Sequence, residues 1–574
     1  MKNSNDFMTR QKNKVHIKKT GLKKRVIINS LQPVLCFLAT LCFAVIIFAF
    51  SFQSHVFAHS PQPEVEETKS EPFDILIKNG RILDGTGNPW YYADIGIVDD
   101  EVKWIGKSKQ ATAHKVIDAE GLYVSPGFID VHSHASSGLS SESLSHARPL
   151  LAQGITTVVI NPDGGGSTDI PGQREALEEH GIGVNVIQLV PHGTTRRSVM
   201  GTEDREPTES ELSEMKAIVE EGMKNGAFGI STGLFYTPGA YAETEEVIEL
   251  AKVAARYNGI HSSHIRDESD YSVGLVASVD EIIRISEEAK IPGIVSHIKA
   301  LGTGVWGYSS AVISRLDRAR DEGIEVFADQ YPYPASSTNL TAVLIPSWAR
   351  EGGRTEMLQR FDDPDLLEEI KVAMEANLER RGGPESIQIA DYGADHSLEG
   401  LRLDDIAEQF GESAIDAALM MIKEQNPRVV SFNMHEEDVA RFMRQSWTMT
   451  SSDGGLVEMG DGIVHPRNYG SFPRKISKYV QEEGVVELPF AIRSMTSLSA
   501  SVFGLHSRGL IRAGQKADIT IFDLENIRDN ATYDDPHQLS EGVEYVIING
   551  KFAVENGEFN DDLAGKVLFN VSSK

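Results

Sequence analysis

Two histidines separated by a single residue are the clearest chemical signal in this sequence. His132 and His134 lie in PGFIDVHSHASSG, directly after an apolar run that predicts a strand. Residues i and i+2 of a strand project to the same face, so both imidazoles can bind one metal ion above the strand's carboxyl end. Because an HxH pair also occurs by chance, the residues that accompany it decide its meaning.

Two further histidines and an aspartate follow predicted strands elsewhere in the chain. His264 lies in IHSSHIRDE, His297 in IVSHIKALG and Asp453 in MTSSDGG. Parallel strands that close into a barrel bring the side chains at their carboxyl ends into one pocket. Imidazole and carboxylate groups together favour zinc or a similar divalent ion. The four histidines and the aspartate therefore predict a metal site.

The segment from 126 to 504 must position these residues, and it alternates apolar strands with amphipathic helices. GITTVVINP and GIEVFADQYPY are typical of buried strands, whereas VDEIIRISEEAK repeats apolar residues every three or four positions, as helices do. Right-handed βαβ connections favour an α/β fold, a TIM-like (β/α)8 barrel. The active site is expected at the carboxyl ends of its strands.

Two β-rich segments flank this barrel and one helical segment interrupts it. Short alternating strands with Gly and Asp turns occupy 73–125 and return at 505–570. They predict a small β-sandwich domain built from both termini. From 338 to 433 the repeat gives way to a charged, mainly helical insertion, which either covers the pocket or adds scaffold.

The first 58 residues have the composition of an export signal. Basic residues precede the apolar run from Val34 to Phe50, and Val56-Phe57-Ala58 fits a signal peptidase site. We expect cleavage after Ala58, with 59–72 as a linker. The alternative is an uncleaved membrane anchor through residues 34–50, a run at the lower limit for spanning a bilayer. Both interpretations place the catalytic part outside the cytoplasm.

Cysteine content and charge restrict the chemistry further. Cys36 and Cys42 both lie in the apolar run, so the exported part has no disulfide, thiol nucleophile or thiolate ligand. The formal net charge of −29 at pH 7 opposes binding to nucleic acid. Such an acidic surface fits a solvated enzyme.

Several motifs in order resemble the amidohydrolase superfamily and, within it, the N-acyl-D-amino-acid deacylase (D-aminoacylase) family. The resemblance runs from about residue 73 to 560 and rests on PGFIDVHSH, STGLFYTPGAYA, HIRDE, SHIKALG, ADQYPYPASSTNL and SSDGG followed by HPRNYGSFPR. It implies a hydrolase of linear amides that deacylates N-acyl-D-amino acids to a carboxylate and a free D-amino acid, with a small-molecule N-acyl amino acid or short peptide as substrate. It also implies zinc, as one or two divalent ions. The preference for D substrates is implied by the resemblance alone.

The resemblance also assigns roles to individual residues. The family's further ligand is usually a cysteine in an NCG segment, but here INPDGGGS places Asp163 at that position, and a carboxylate makes a harder site than a thiolate. Asp453 is implied as the catalytic residue. The implied metal ligands are His132, His134, Asp163, His264 and His297. The side chains implied to bind the substrate's carboxylate are Lys299, Tyr331, Ser337 and Arg467.

Other functions remain open at this stage. A dipeptidase acting on D-residue peptides would use the same chemistry. A cyclic amidase of the dihydroorotase or hydantoinase kind shares the barrel and the HxH motif, but such enzymes commonly bridge two metals with a carboxylated lysine, and VPHG and STGL offer none. A non-catalytic binding protein of this fold would not need the metal ligands, and the missing cysteine is the best argument for it.

Overall fold

The structure, a computed structural model, describes residues 72–107 and 109–570. The predicted export signal, its cleavage site and residues 59–71 of the predicted linker lie outside these ranges. Within them, no helix combines the length and the apolar composition needed to cross a membrane.

The strands are short and occur throughout the described chain. In chain order they are β1 (Phe73–Lys78), β2 (Arg81–Ile82), β3 (Tyr91–Tyr92), β4 (Asp94–Val98), β5 (Glu101–Gly106), β6 (Ala113–Asp118), β7 (Tyr123–Pro126), β8 (Phe128–Asp130), β9 (Ile155–Ile160), β10 (Asn185–Gln188), β11 (Val190–Pro191), β12 (Gly229–Gly233), β13 (Ile260–His264), β14 (Gly293–Val295), β15 (Val326–Gln330), β16 (Ser336–Asn339), β17 (Ile387–Asp391), β18 (Arg428–Ser431), β19 (Thr448–Thr450), β20 (Ile519–Phe522), β21 (Val543–Ile548), β22 (Lys551–Glu555) and β23 (Glu558–Phe559).

Within the described ranges, the helices lie between β8 and β20. The α-helices are α1 (Ser136–Leu139), α2 (Arg148–Leu151), α3 (Ile170–Glu178), α4 (His192–Met200), α5 (Glu209–Lys224), α6 (Thr244–Ala255), α7 (Leu275–Ala289), α8 (Ser309–Asp321), α9 (Leu340–Leu344), α10 (Arg354–Arg360), α11 (Pro364–Arg380), α12 (Leu403–Phe410), α13 (Ala414–Glu424), α14 (Glu436–Met443), α15 (Arg467–Arg474), α16 (Leu488–Met495) and α17 (Ser497–Val502). A π-helix, Lys475–Glu482, continues α15. Short 3-10 helices cover Gly239–Tyr241, Thr303–Val305, Ser347–Arg350, Pro384–Ser386 and His396–Leu398.

Parallel strands form the barrel that carries the candidate site. β8, β9 and β10 pair side by side, and β11 to β15 pair in order before β15 pairs with β19. Only Leu189 separates β10 from β11, so the two occupy one barrel position. Past the strand ends, the Asp453 N–H donates to the His132 carbonyl at 2.9 Å and the His134 N–H to the Gly454 carbonyl at 2.8 Å. These bonds join the last strand to the first, as expected for the predicted (β/α)8 barrel.

Apolar patterning explains why these segments form the barrel wall. β9, with sequence ITTVVI, is buried at every position, because side chains fill the inside of a parallel barrel while helices cover its outside. On α7, Leu275, Val279, Ile282 and Ile285 are buried at spacings of three and four residues. Such a stripe gives the helix one apolar face, which packs on the strands.

The β-sandwich is built from the two ends of the described chain. One sheet has the order β5-β4-β1-β6 and the other β23-β22-β21-β20-β7-β2-β3. β7, just before the barrel, pairs antiparallel with β20, just after it. One buried core joins the sheets, with members that include Ile75, Ile77, Ile95, Val124, Ile519, Ile521 and Ile547. The predicted sandwich is therefore present, with β7 and β20 adjacent in its larger sheet.

The predicted insertion, together with Ser336 and Ser337 just before it, contains a sheet that the sequence did not predict. It includes the expected helices, α9 to α13, but β16, β17 and β18 also form a three-stranded antiparallel sheet with β18 in the centre. These strands are far apart in sequence, and β16 reads SSTN, which has no apolar alternation. The sheet lies beside the candidate site and supplies part of its wall.

Candidate metal centre and active site

The residues predicted to bind metal, together with the predicted catalytic Asp453, all lie at the carboxyl ends of barrel strands, where such a barrel directs functional side chains into one pocket. They come from five different strands, which explains why they are so widely separated in sequence. His132 and His134 follow β8, Asp163 follows β9, His264 ends β13, His297 follows β14 and Asp453 follows β19.

One cluster of potential ligands contains His132, His134, Asp163 and Asp453. His132 Nε2 lies 3.4 Å from Asp163 Oδ1 and 3.6 Å from Asp453 Oδ1. His134 Nε2 lies 3.4 Å from Asp163 Oδ2 and 3.2 Å from Asp453 Oδ1. Ligand atoms bound tetrahedrally at about 2.0–2.1 Å from zinc are a little over 3 Å apart, so these separations suit one ion.

A second cluster contains Asp163, His264 and His297. His297 Nε2 lies 3.4 Å from Asp163 Oδ1, and His264 Nδ1 lies 3.9 Å from the same oxygen and 3.0 Å from His297 Nε2. Asp163 thus belongs to both clusters. A carboxylate in this position can act as a bridging or terminal ligand, in place of the cysteine that the resemblance implies.

Unsatisfied polar atoms show that these residues fit a metal ion. Both ring nitrogens of His132, Oδ1 of Asp163 and Nε2 of His264 are shielded from solvent and have no hydrogen-bond partner among the residues that the structure describes. Buried polar atoms left unpaired cost free energy, so a group that satisfies several of them at once is expected here. Nitrogen and carboxylate donors are the ligands that zinc accepts.

The backbone at the site adopts conformations that side chains usually avoid. Asp163, His297 and Asp453 have φ of 55°, 37° and 50°. Non-glycine residues in this region cost about 1–3 kcal/mol each and persist where surrounding contacts enforce them. Such contacts are present: the His297 N–H donates to Asp329 Oδ1 at 2.9 Å, and the Asp453 N–H forms the bond that joins the barrel ends.

Two buried aspartates support the strand ends from beneath. Asp130 accepts hydrogen bonds from the Ser452 N–H at 2.8 Å and from the Ser452 hydroxyl at 2.5 Å. Asp329 accepts from the Ser451 hydroxyl at 2.6 Å as well as from His297. Ser451 and Ser452 directly precede Asp453, so these bonds fix the position of that carboxylate relative to the histidines.

Electrostatics favour ionised carboxylates in the centre. Burial opposes charge on Asp163, but His132 and the other imidazoles hold the pKa of Asp163 well below its ordinary value. Burial likewise opposes charge on Asp453, and Arg467 holds its pKa well below the ordinary value. Burial lowers the pKa of His264 to about 4, so its imidazole is neutral and ready to coordinate.

Glu268 is a site residue that the sequence analysis missed, although it lies in the HIRDE motif. Its Oε1 lies 2.5 Å from Lys299 Nζ and 3.2 Å from His297 Nδ1. Lys299 Nζ also lies 2.7 Å from His297 Nδ1. Glu268 and Lys299 therefore orient the imidazole of His297, as partners of metal-binding histidines do.

The other residues implied to bind the substrate's carboxylate lie beside the centre. Arg467 donates to Asp453 Oδ2 at 2.7 Å, and its guanidinium lies over the ring of Tyr331 at 4.8 Å. Tyr331 and Ser337 line the same cavity as Lys299 and Arg467. The structure thus brings these four side chains together at the metal-ligand cluster.

A cavity of about 730 Å³ opens above the centre. Barrel loops form one side of it, and the insertion contributes the other through Ser336 to Asn339 of β16, Asp391 of β17 and Arg428 of β18. The insertion therefore contributes directly to the wall of the site. Sequence reasoning did not identify Arg428, because it marks neither a motif nor an apolar periodicity.

Comparison with known proteins agrees with this geometry. Residues 115–554 match the model of the amidohydrolase family. The D-aminoacylase of Alcaligenes xylosoxydans xylosoxydans is 33% identical over 530 residues, which cover 88% of this chain and 99% of that protein.

Solved structures extend the likeness to the fold. The crystal structure of N-acyl-D-glutamate deacylase from Bordetella bronchiseptica, complexed with zinc and a phosphonate mimic of the tetrahedral intermediate, is 33% identical with a TM-score of 0.75, covering 87% of this chain and 100% of that one. A D-aminoacylase structure with a binuclear metal centre is 30% identical with a TM-score of 0.74 and the same coverage. The chain belongs to the amidohydrolase family, in its N-acyl-D-amino-acid deacylase branch.

Proposed function

We propose that this protein is a metal-dependent hydrolase that deacylates N-acyl-D-amino acids to a carboxylate and a free D-amino acid. The observation that carries the proposal is the convergence of four histidines, Asp163 and Asp453 at the carboxyl ends of the barrel strands. The names of the relatives, D-aminoacylase and N-acyl-D-glutamate deacylase, support the reaction and the preference for D substrates.

Zinc is the proposed metal, as one or two ions. His132, His134 and Asp163 would hold one ion, and Asp163, His264 and His297 a second. When bound, zinc supplies a Lewis acid that polarises the amide carbonyl and makes water a nucleophile at neutral pH. Zinc in the N-acyl-D-glutamate deacylase structure supports this assignment.

The surroundings of Asp453 support a role in proton transfer. Arg467 holds Oδ2, which leaves Oδ1 facing the histidines, 3.2 Å from His134 Nε2. As water adds to the amide carbon, Asp453 accepts the water's proton. Asp453 then donates that proton to the amide nitrogen while the C–N bond breaks, because an amine cannot leave as an anion.

Four side chains form the proposed binding subsite for the substrate's α-carboxylate: Lys299, Tyr331, Ser337 and Arg467. The ammonium and guanidinium groups attract the carboxylate, and the two hydroxyls donate hydrogen bonds to it. The contacts of Lys299 with Glu268 and of Arg467 with Asp453 fix the two cations in place before substrate arrives. Binding the α-carboxylate here puts the neighbouring amide next to Asp453.

The proposed site of action is outside the cytoplasm. The basic and apolar segments of the first 58 residues support export. Cleavage after Ala58 predicts a mature protein that begins at His59, whereas an anchor through residues 34–50 leaves the chain intact. Sequencing the amino terminus of the mature protein distinguishes the two.

The reaction is tested by measuring amine release from paired N-acetyl-D- and N-acetyl-L-amino acids with the purified full-length protein. We expect bound zinc and release from the D substrates. Asp453→Asn should keep the metal and lower kcat by about 10²- to 10⁴-fold, the usual contribution of a positioned acid or base. Bound zinc with release only from dipeptides or cyclic amides would contradict the proposal, as would equal activity of the Asn variant.

A further inference from the structure

Arg428 presents a guanidinium to the active-site cavity and forms no ion pair or hydrogen bond through its side chain within the described ranges. It lies on β18, the central strand of the insertion sheet, and keeps part of its surface exposed to solvent. A guanidinium offers five N–H donors in a planar fork that matches a carboxylate. An unpaired one in a substrate cavity therefore needs an explanation.

The other cationic side chains that line the cavity already have partners. Lys299 contacts Glu268, and Arg467 donates to Asp453. Arg381 is almost fully buried and donates to the Tyr271 hydroxyl at 2.6 Å. Arg428 is thus the cavity cation whose hydrogen-bonding capacity is left for a ligand.

The register of the insertion sheet places Arg428 next to the proposed α-carboxylate subsite. Ser337 of β16 lies opposite Val430, and Asn339 lies opposite Arg428. Opposed residues, and residues two apart on one strand, face the same side of a sheet. Ser337 and Arg428 are therefore diagonal neighbours on one face, with backbones about 7–8 Å apart.

The surroundings of Arg428 favour an anion there. Burial by the cavity walls and then repulsion from Arg467 lower the pKa of Arg428 from its ordinary value. A carboxylate bound between the two arginines removes that repulsion. Asp391, its neighbour across the sheet, attracts Arg428 and opposes this shift, but its effect is smaller than those of burial and Arg467, and no ion pair joins the two side chains.

We propose that Arg428 binds a side-chain carboxylate of the substrate, so that the preferred substrates are N-acyl derivatives of acidic D-amino acids. The proposal rests on the deacylase function proposed above. In aspartate and glutamate, two or three carbon atoms separate the two carboxyl groups. With one group held at Ser337, Lys299 and Arg467, the other falls within reach of the long arginine side chain.

N-acetyl-D-glutamate and N-acetyl-D-glutamine test the proposal, because they have nearly the same shape and differ in one charge. For the zinc-loaded full-length protein we expect kcat/KM to favour the glutamate by about 10- to 100-fold, the effect of one charge-assisted hydrogen-bonding pair. Arg428→Gln should lower activity on the glutamate by the same factor and abolish the preference. Arg428→Lys keeps the positive charge and should retain part of the preference for the glutamate.

Arg402→Gln is the matched control. Arg402 belongs to the same insertion but stacks on Phe432, outside the cavity lining, so its loss should leave the preference unchanged. Circular dichroism of each variant, together with the retained activity of Arg428→Lys, separates a binding effect from misfolding.

Binding measured by calorimetry supplies a readout that does not depend on turnover. On the zinc-loaded Asp453→Asn protein, the ratio of the two Kd values should also favour the glutamate and should vanish when Arg428 is replaced by Gln as well. A wild-type protein that prefers or does not distinguish the glutamine, or an Arg428→Gln protein that keeps the preference, overturns the proposal. If the glutamate binds more tightly than the glutamine but the wild-type protein releases no amine from either, the deacylase function is refuted and the Arg428 subsite is retained.

Discussion

Lys475 is a buried lysine whose side chain, among the described residues, bonds to hydroxyl groups rather than to a carboxylate. Its Nζ donates to Thr450 Oγ1 at 2.7 Å and to Ser494 Oγ at 2.8 Å. Burial lowers the pKa of Lys475 to about 7 from an ordinary value of 10.5. The folded protein therefore releases this proton at a lower pH than the unfolded chain does, so between pH 7 and 10.5 the unfolded state binds more protons.

Replacing Lys475 by Met should stabilise the protein, and the gain should depend on pH. Below pH 7 the cost of burying the charge is fully present, about 3–5 kcal/mol, and it is lost as pH rises toward 10.5. Thr450 and Ser494 keep each other as hydrogen-bond partners at 3.1 Å. Thermal midpoints at pH 6.5 and 9.5 should show a larger advantage of Lys475→Met at the lower pH. An equal advantage at both values would contradict the prediction.

Candidate site residues could be predicted from the sequence where they lie in a recognisable motif. The four histidines lie in short motifs after apolar strands. Asp163 is a candidate ligand because it occupies the position of the family's cysteine. The sequence did not identify Glu268 or Arg428 as site residues, and the reason is physical. Their roles arise from contacts with residues of other strands, such as Lys299, and no local pattern records those contacts.

Helix α7 illustrates how an element of the barrel is stabilised by one apolar face. Ile282 is fully buried in the core that the helices form with the barrel strands, whereas Arg284, two residues later, lies on the solvent side. Ile282→Ala should destabilise the protein by about 2–5 kcal/mol, because it removes buried methyl groups and leaves a cavity. Arg284→Ala, the control on the same helix, should cost no more than about 1 kcal/mol, since its ion pairs are exposed.

Urea unfolding of both variants measures this difference. Equal destabilisation by Ile282→Ala and Arg284→Ala would show that α7 is not held by its apolar face. At this scale the barrel elements could be predicted, because their periodicity is strong. The insertion sheet could not, because β16 is polar and pairs with a strand about 90 residues away in sequence.

In the whole molecule, the candidate metal centre lies where the first and last strands of the barrel meet. Ligands for the proposed ions come from β8, β9, β13 and β14, and the first and last barrel strands meet where the Asp453 N–H bonds to the His132 carbonyl. A metal centre bound here connects segments that are more than 160 residues apart in sequence, from His132 to His297. Its free energy of binding therefore adds to the stability of the entire barrel rather than to one loop.

Removal of zinc by a chelator should lower the thermal midpoint of the full-length protein, and added zinc should restore it. At a free zinc concentration about 1,000 times Kd, the ion contributes about 4 kcal/mol. The increase in thermal midpoint caused by zinc should become smaller as the pH falls. Burial opposes protonation of His134, but Asp163 and Asp453 raise its pKa to about 9 without metal, so zinc must displace a proton there.

Asp163→Asn separates a specific centre from incidental zinc binding. Asp163 is shared by both ligand clusters, so its amide should weaken both and leave a smaller zinc-dependent shift of the midpoint than in the wild type. Asp391→Asn is the control, since Asp391 lines the cavity but belongs to neither cluster, and it should keep the full shift. Differential scanning calorimetry of the wild type and of both variants, with and without zinc, measures these shifts of the thermal midpoint. A wild-type midpoint that does not respond to zinc, or an equal response in all three proteins, would show that the barrel is closed without help from this centre.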